Sequence, residues 1–138
     1  MQCLDRNIVL YSQDREASLQ KRERALACWG QDACISAQVL AEICNVLQRK
    51  RGWGPASCQV LITSLRAAFR VFDLTGDTVD LALTLKQKHS LSQFDAQILA
   101  SALVAGCDTV YSEDMQHRQQ IAGRLTIINP FKPGADAA

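Results

Sequence analysis

The sequence predicts an α/β fold: a three-layer α/β/α sandwich around a mostly parallel central sheet. Three observations carry this. Short apolar segments alternate with longer segments whose apolar residues recur at helical spacing, the pattern of strand–helix–strand crossovers. The helical segments are bounded by capping residues, such as Ser36, Pro55 and Ser92 at their starts and Gly30 and Gly106 at their ends. The chain has 138 residues and is 48% hydrophobic, enough to bury one core and too apolar for disorder.

Met1–Leu4 is a short apolar opening that fits a buried first strand. Asp5-Arg6-Asn7 separates it from a second apolar run, Ile8–Tyr11. Asp5 therefore stands at the carboxyl end of a strand, where open α/β sheets collect their ligands. It is equally placed to cap a short following helix, and position alone favours the cap. Ser18–Trp29 reads as a helix in which Leu19, Leu26 and Trp29 interleave with Lys21, Glu23 and Arg24, the charges forming a solvated face. Ala33-Cys34-Ile35 is a small strand, and Ser36 caps the helix after it.

Gln38–Arg51 is the clearest helix, because Val39, Ile43, Val46 and Leu47 form one inward stripe. Glu42 falls on that stripe, so it either reaches water at the stripe's edge or faces a polar pocket or a metal; buried alone it would be costly. Gly52-Trp53-Gly54-Pro55 is a turn into a helix reaching about Arg70, with Val60, Leu61, Leu65 and Phe69 as its apolar residues. Val71–Leu74 fits a strand and Thr78–His89 a helix, with Asp73, Asp77 and Asp80 as turn and first-turn acids. Ser92 opens the next helix. Asp95 shares a face with Ile98, Leu99 and Ala102, although Ser92-x-x-Asp95 also has the spacing of a capping box. Thr109–Tyr111 is a strand ending in Ser112-Glu113-Asp114; Gln116–Ala122 is polar and irregular, and Leu125–Ile128 is a last strand stopped by Asn129-Pro130. Residues 1–131 read as a single domain and 132–138 as a frayed tail.

Composition narrows the function. A net charge of +1 neither supports nor excludes a nucleic-acid partner, so any electrostatic footprint must be local. The six cysteines are scattered without a CxxC pair, and His89 and His117 lack zinc-ligand spacing. Free thiols among apolar residues indicate a reducing, cytosolic compartment. The N-terminus lacks the pattern of a signal peptide, and no apolar run is long enough to suggest a membrane span. A DxD pair of the receiver type and a Walker loop are both missing.

Asp5 and Asp114 thus stand at the carboxyl ends of predicted strands, and Glu42 and Asp95 near helix starts and turned inward, so the four carboxylates are able to converge. Four carboxylates cannot stay ionised in one pocket without cations. An all-oxygen acidic set suits Mg²⁺ or Mn²⁺ rather than Zn²⁺, and such clusters serve phosphate-ester hydrolysis.

The stretches Leu4–Tyr11, Ile35–Glu42, Phe94-Asp95-Ala96 with Ala100-Ser101-Ala102, Gly106–Asp114 and Ile128–Phe131 together resemble the PIN-domain ribonucleases, in particular the VapC-like toxins of type II toxin–antitoxin pairs. The likeness covers nearly the whole chain. It implies the sandwich fold and a site in which Asp5, Glu42, Asp95 and Asp114 bind one or two Mg²⁺ or Mn²⁺ ions and cleave RNA, often tRNA. It further implies a homodimer and an antitoxin protein that covers the acidic groove. Asn7 and Ser112 would be the hydrogen-bonding groups that hold the carboxylates; Ser112 stands where relatives usually carry Thr. Arg6, His117 and Arg118 are candidates for contact with RNA phosphate.

Two departures from the family pattern stand out. Arg6 occupies the place of the usual Thr or Ser in Asp-Thr-Asn. It either turns outward, the favoured reading, or pairs with Asp5 and fills the metal position with its guanidinium. The second option would leave a catalytically weak or inactive PIN-fold module that binds RNA or protein. His117-Arg118 replaces an Asp-Gly found in many relatives, removing an acid and adding two groups able to meet phosphate.

Overall fold

The computed structural model describes residues 1–134. The order is β1 (Gln2–Leu4), α1 (Arg6–Gln13), α2 (Leu19–Ala27), β2 (Ala33–Ser36), α3 (Ala37–Arg51), α4 (Pro55–Ala68), β3 (Arg70–Phe72), α5 (Gly76–Lys88), α6 (Gln93–Ala105), β4 (Thr109–Tyr111), β5 (Gln120–Ile121) and β6 (Leu125–Ile128). The sheet runs β3-β2-β1-β4-β6-β5, parallel throughout except for β5 against β6.

The chain steps outward from β1 to β2 to β3, and α5–α6 then carry it back to β4 on the other side of β1. Right-handed crossovers put α1–α4 on one face and α5–α6 on the other. Accordingly α1 packs on α2 and α3, α3 on α4, and α5 on α6. The crossovers diverge at β1 and β4, which leaves a crevice at the carboxyl ends of those strands. Leu4, Ile35, Val110 and Ile127 from the strands meet Ile8, Val9, Ile43, Leu47, Ile98 and Leu99 from the helices in one buried core.

Local chemistry sets the boundaries as expected from the caps. Ser36, Thr75 and Ser92 each accept a backbone N–H three residues on, and Pro55 opens α4. Gly52 (φ 66) and Gly106 (φ 82) close α3 and α6 in the left-handed region, where a side chain would be strained.

The run after Asp5 is helical from Arg6 with Asp5 as its cap, the reading that position favoured. Two expectations are revised. The polar stretch Gln116–Ala122 contains β5, which pairs through Gln120 and Ile121, with Ile121 fully buried. Of the α2 charges expected on a solvated face, Glu23 is exposed but Lys21 and Arg24 are engaged. Leu19 and Leu26 are exposed at 65% and 45%, whereas Lys21 pairs with Glu113 and Arg24 donates to the Pro130 carbonyl at 3.1 Å. Long basic side chains reach across a small contact that Ala25 alone fills on the apolar side.

All six cysteines but Cys44 are buried, so they do pack as small hydrophobes; Cys28 Sγ donates to the Arg24 carbonyl at 3.4 Å, and Cys34 Sγ and Cys107 Sγ lie 3.3 Å apart. Among the described residues no helix is long and apolar enough to cross a membrane. Of the expected tail, residues 135–138 lie outside the described residues.

Candidate acidic site

Asp5 is the innermost of the four acids. It leaves the carboxyl end of β1 and caps α1, and the residue is 5% exposed. One oxygen accepts the Arg6 N–H at 2.7 Å and the other accepts the Ser112 hydroxyl at 2.8 Å. Parallel pairing of β1 with β4 sets Leu4 opposite Tyr111, so Ser112 arrives beside Asp5 as a consequence of register. Ser112 is fully buried, and its oxygen also accepts the Met115 N–H at 3.3 Å. It ties the loop carrying Asp114 to Asp5.

Glu42 lies one turn into α3, on the stripe made by buried Val39, Ile43 and Leu47. It is neither at the water's edge nor sealed: 19% of its side chain is exposed, and Oε2 is buried without a hydrogen-bond donor. Asp95 opens α6, with Ser92 accepting its N–H at 3.1 Å and Ile98, Leu99 and Ala102 buried behind it. The capping spacing and the inward placement therefore coexist. Asp114 is half-exposed and accepts the Asn7 amide at 3.1 Å.

The electrostatics place the acids together. Burial pushes the Asp5 carboxyl above its ordinary value, and the charge of Asp95 adds to the rise. Burial likewise raises Glu42, with Asp5 next, and raises Asp95, with Asp114 as the like charge. Side chains from β1, α3, α6 and the loop after β4 thus form one coupled set.

Arg6 does not turn outward, as the sequence favoured. Nor does it fork onto Asp5. Its Nη1 donates to Glu42 Oε1 at 3.1 Å, and Nη2 stands 3.9 Å from Asp114 Oδ2. The physical reason is its position as the first residue of α1, which carries the side chain across the mouth of the crevice while its backbone N–H serves Asp5. The guanidinium lowers Asp5, Glu42 and Asp95 together, against the stronger effect of burial.

His117 and Arg118 follow Asp114, but their contacts lie elsewhere. His117 Nδ1 accepts the Asn129 N–H at 2.9 Å, and Arg118 takes a left-handed backbone (φ 68) with its N–H on the Ile127 carbonyl at 2.6 Å. The Arg118 guanidinium reaches toward the Gly134 carbonyl.

The structure also brings in side chains that the sequence did not single out. Glu113 is held by Tyr11 (2.7 Å) and Lys21 (3.1 Å), and Asn129 donates to the Glu113 carbonyl at 3.2 Å. Buried Gln97 donates to Gln38 at 2.7 Å, and Gln38 donates to the Phe94 carbonyl at 3.0 Å, clasping the starts of α3 and α6. Gln38 precedes Glu42 by one helical turn, the only sequence signal for that clasp.

The donor set suits a hard divalent cation: only oxygens, clustered, with one buried Glu42 oxygen lacking a donor. Among the described residues, however, no three His, Cys, Asp or Glu side chains close into a cage, and a guanidinium stands between Glu42 and Asp114.

Comparison with known families decides the relationship, because the PIN domain model matches residues 3–121, most of the chain. The chain belongs to the PIN-domain family. Its fold is similar to a toxin–antitoxin complex from Klebsiella pneumoniae, at 22% identity over 96% of this chain and 99% of that one, with a TM-score of 0.69. It is similar to the Mycobacterium tuberculosis toxin VapC20, described as cleaving the sarcin–ricin loop, at 20% identity over 83% and 90%, with a TM-score of 0.66. It is also similar to VapBC2 from Rickettsia felis bound to promoter DNA, at 17% identity over 91% and 96%, with a TM-score of 0.64. No curated protein sequence matches it. The predicted sandwich and the resemblance to PIN-domain proteins both stand, and the likeness to the toxin structures is one of fold.

Proposed function

We propose that this PIN domain is a divalent-metal-dependent endoribonuclease and the toxin of a toxin–antitoxin pair. The observation that carries the reading is the convergence of Asp5, Glu42, Asp95 and Asp114 near the carboxyl ends of β1 and β4, where Asp95 adds to the rise of Asp5, Asp5 to that of Glu42 and Asp114 to that of Asp95. Acids gathered at such electrostatic cost, with Ser112 and Asn7 orienting two of them, make a cation-binding site rather than a fold-stabilising one. Mg²⁺ is the expected ion, with Mn²⁺ able to substitute. When bound, it supplies the charge that activates water and offsets the leaving oxygen in phosphodiester hydrolysis.

The chain's own residues do the rest. Asp5, fixed by two hydrogen bonds, anchors the site. Glu42, Asp95 and Asp114 border the opening through which a phosphate and water approach. His117 and Arg118, with Arg6, offer cationic or polar contacts to the RNA backbone. The similar structures include toxin–antitoxin assemblies, which supports an antitoxin protein as the inhibitory partner. A homodimer acting in the cytoplasm completes the proposal.

The test is cleavage of tRNA and of a sarcin–ricin-loop RNA with Mn²⁺ or Mg²⁺, comparing the native chain with Asp95→Asn. Loss of cleavage by about a hundredfold or more is expected on removing one charge from the set. Absence of cleavage of either RNA by the native chain, or an unchanged Asp95→Asn variant, removes the nuclease reading. A second reading is favoured by the Arg6–Glu42 ion pair: a PIN-fold module that holds RNA or protein without turnover because its own arginine neutralises the site.

A further inference from the structure

Among the described residues, Arg6 is the cation whose contacts join two of the four acids, and the quality of those contacts determines what it does. It makes one hydrogen bond to Glu42, at 3.1 Å, and its approach to Asp114 stops at 3.9 Å. It forms no bidentate fork, and 38% of its side chain is exposed to solvent. A buried, forked arginine would be a permanent structural cation. A half-solvated, singly bonded one is a weak pair, easily given up. The set it serves is undercompensated as well: four carboxylates face one guanidinium, and the buried Glu42 Oε2 makes no hydrogen bond, with only the Gln38 amide beside Arg6 to lower the Glu42 carboxyl. A doubly charged ion with oxygen preference answers that deficit better than a single diffuse charge.

We propose that Arg6 is a built-in competitor for the divalent cation: its guanidinium occupies the gap between Glu42 and Asp114, is displaced when the ion loads, and so sets the ion concentration at which the site forms. This rests on the proposed metal site and adds a regulation of it. Because Arg6 sits beside Asp5 in the chain and at the first position of α1, the displaced side chain stays tethered at the mouth of the site. There it can turn to an RNA phosphate. Loading and readiness for substrate are thereby linked through one side chain, and at low ion concentration the domain stays latent.

The test is direct binding of Mn²⁺ by calorimetry and electron paramagnetic resonance on the full chain, without RNA. Native protein is compared with Arg6→Thr, Arg6→Ala and Arg6→Lys. Arg6→Thr and Arg6→Ala are expected to bind Mn²⁺ on the order of tenfold more tightly, the loss of one partly exposed charge-assisted bond as competitor. Arg6→Lys, which keeps the charge, should fall between. Adding methylguanidinium to Arg6→Ala should weaken Mn²⁺ binding again, a rescue in reverse that a general structural effect would not produce. Circular dichroism checks that each variant is folded, and the methylguanidinium titration is made within one variant, so altered folding does not mimic it. Equal affinity in native protein and both truncations overturns the exchange while leaving metal binding in place. Weaker binding on truncation also overturns it, making Arg6 a supporting residue. No Mn²⁺ binding by any form overturns both the exchange and the metal site. Tighter binding without RNA cleavage upholds the exchange and removes the nuclease reading.

Discussion

Ser112→Ala isolates the contact on which the site is built. The Ser112 hydroxyl donates to Asp5 Oδ2 at 2.8 Å; Ser112 is fully buried and Asp5 is 5% exposed. No solvent replaces the lost donor at such a position, so the carboxylate keeps its burial cost and loses one of the two groups that donate to it, leaving the Arg6 N–H. A hydrogen bond to a charged acceptor contributes about 2 kcal/mol, which for a chain of this length lowers the melting temperature by roughly 8 °C. The sign with pH is fixed by the same bond. Ser112 lowers the Asp5 carboxyl against the larger effect of burial, so removing it raises that carboxyl further. The loss is then largest above the raised Asp5 value, where the carboxyl is ionised, and shrinks as pH falls through that value and the carboxyl takes a proton. Urea unfolding of native and variant protein across a pH series from about 4 to about 10, with a chelator present, measures both effects. A loss below about 0.5 kcal/mol throughout, or a loss that does not change with pH, would refute the assignment of Ser112 as the residue that holds ionised Asp5.

Two further outcomes rest on the same geometry. Asp5, Glu42 and Asp95 are all raised from ordinary values of 3.8, 4.5 and 3.8, burial first, so the folded state binds their protons more tightly than the unfolded one. Their contribution to stability is complete below those ordinary values and is lost as pH rises through the raised ones. The metal-free double variant Glu42→Gln/Asp95→Asn should therefore be more stable than native protein at about pH 8 and lose that advantage toward about pH 4, read by urea titration; a constant difference contradicts the coupling. Gln97→Leu should cost about 1 kcal/mol by leaving Gln38 and Gln93 without their partner. Because it loosens α6 against α3, it should also weaken Mn²⁺ binding, whereas unchanged binding would make the clasp structural only.

Much of the architecture was legible because it obeys local rules. Ser36 and Gly52 bracket α3, Ser92 and Gly106 bracket α6, and the stripe through Val39, Ile43 and Leu47 gives the inward face on which Glu42 rides. A strand as short as β5 was not legible. Its only apolar residue is Ile121, and its pairing depends on β6 folding back after Gly123 (φ 69). The face of α2 escaped prediction for a related reason. Side-chain type predicted leucines inward and charges outward, but the neighbours available were Glu113, Tyr11 and the Pro130 carbonyl, which select Lys21 and Arg24.

At the site the division is sharper. Residue spacing and sheet handedness suffice to put Asp5, Glu42, Asp95 and Asp114 on one side, because strand ends and helix starts can be located from local pattern. The family resemblance added Ser112 and Asn7. The direction of Arg6 lay beyond reach. A guanidinium on a long flexible stem can meet any carboxylate within several ångströms, and local sequence offers Asp5 as readily as solvent. Only the packing of α1 against α3 puts Glu42 within 3.1 Å and leaves Asp114 at 3.9 Å, because ion-pair choice depends on distances between elements far apart in the chain.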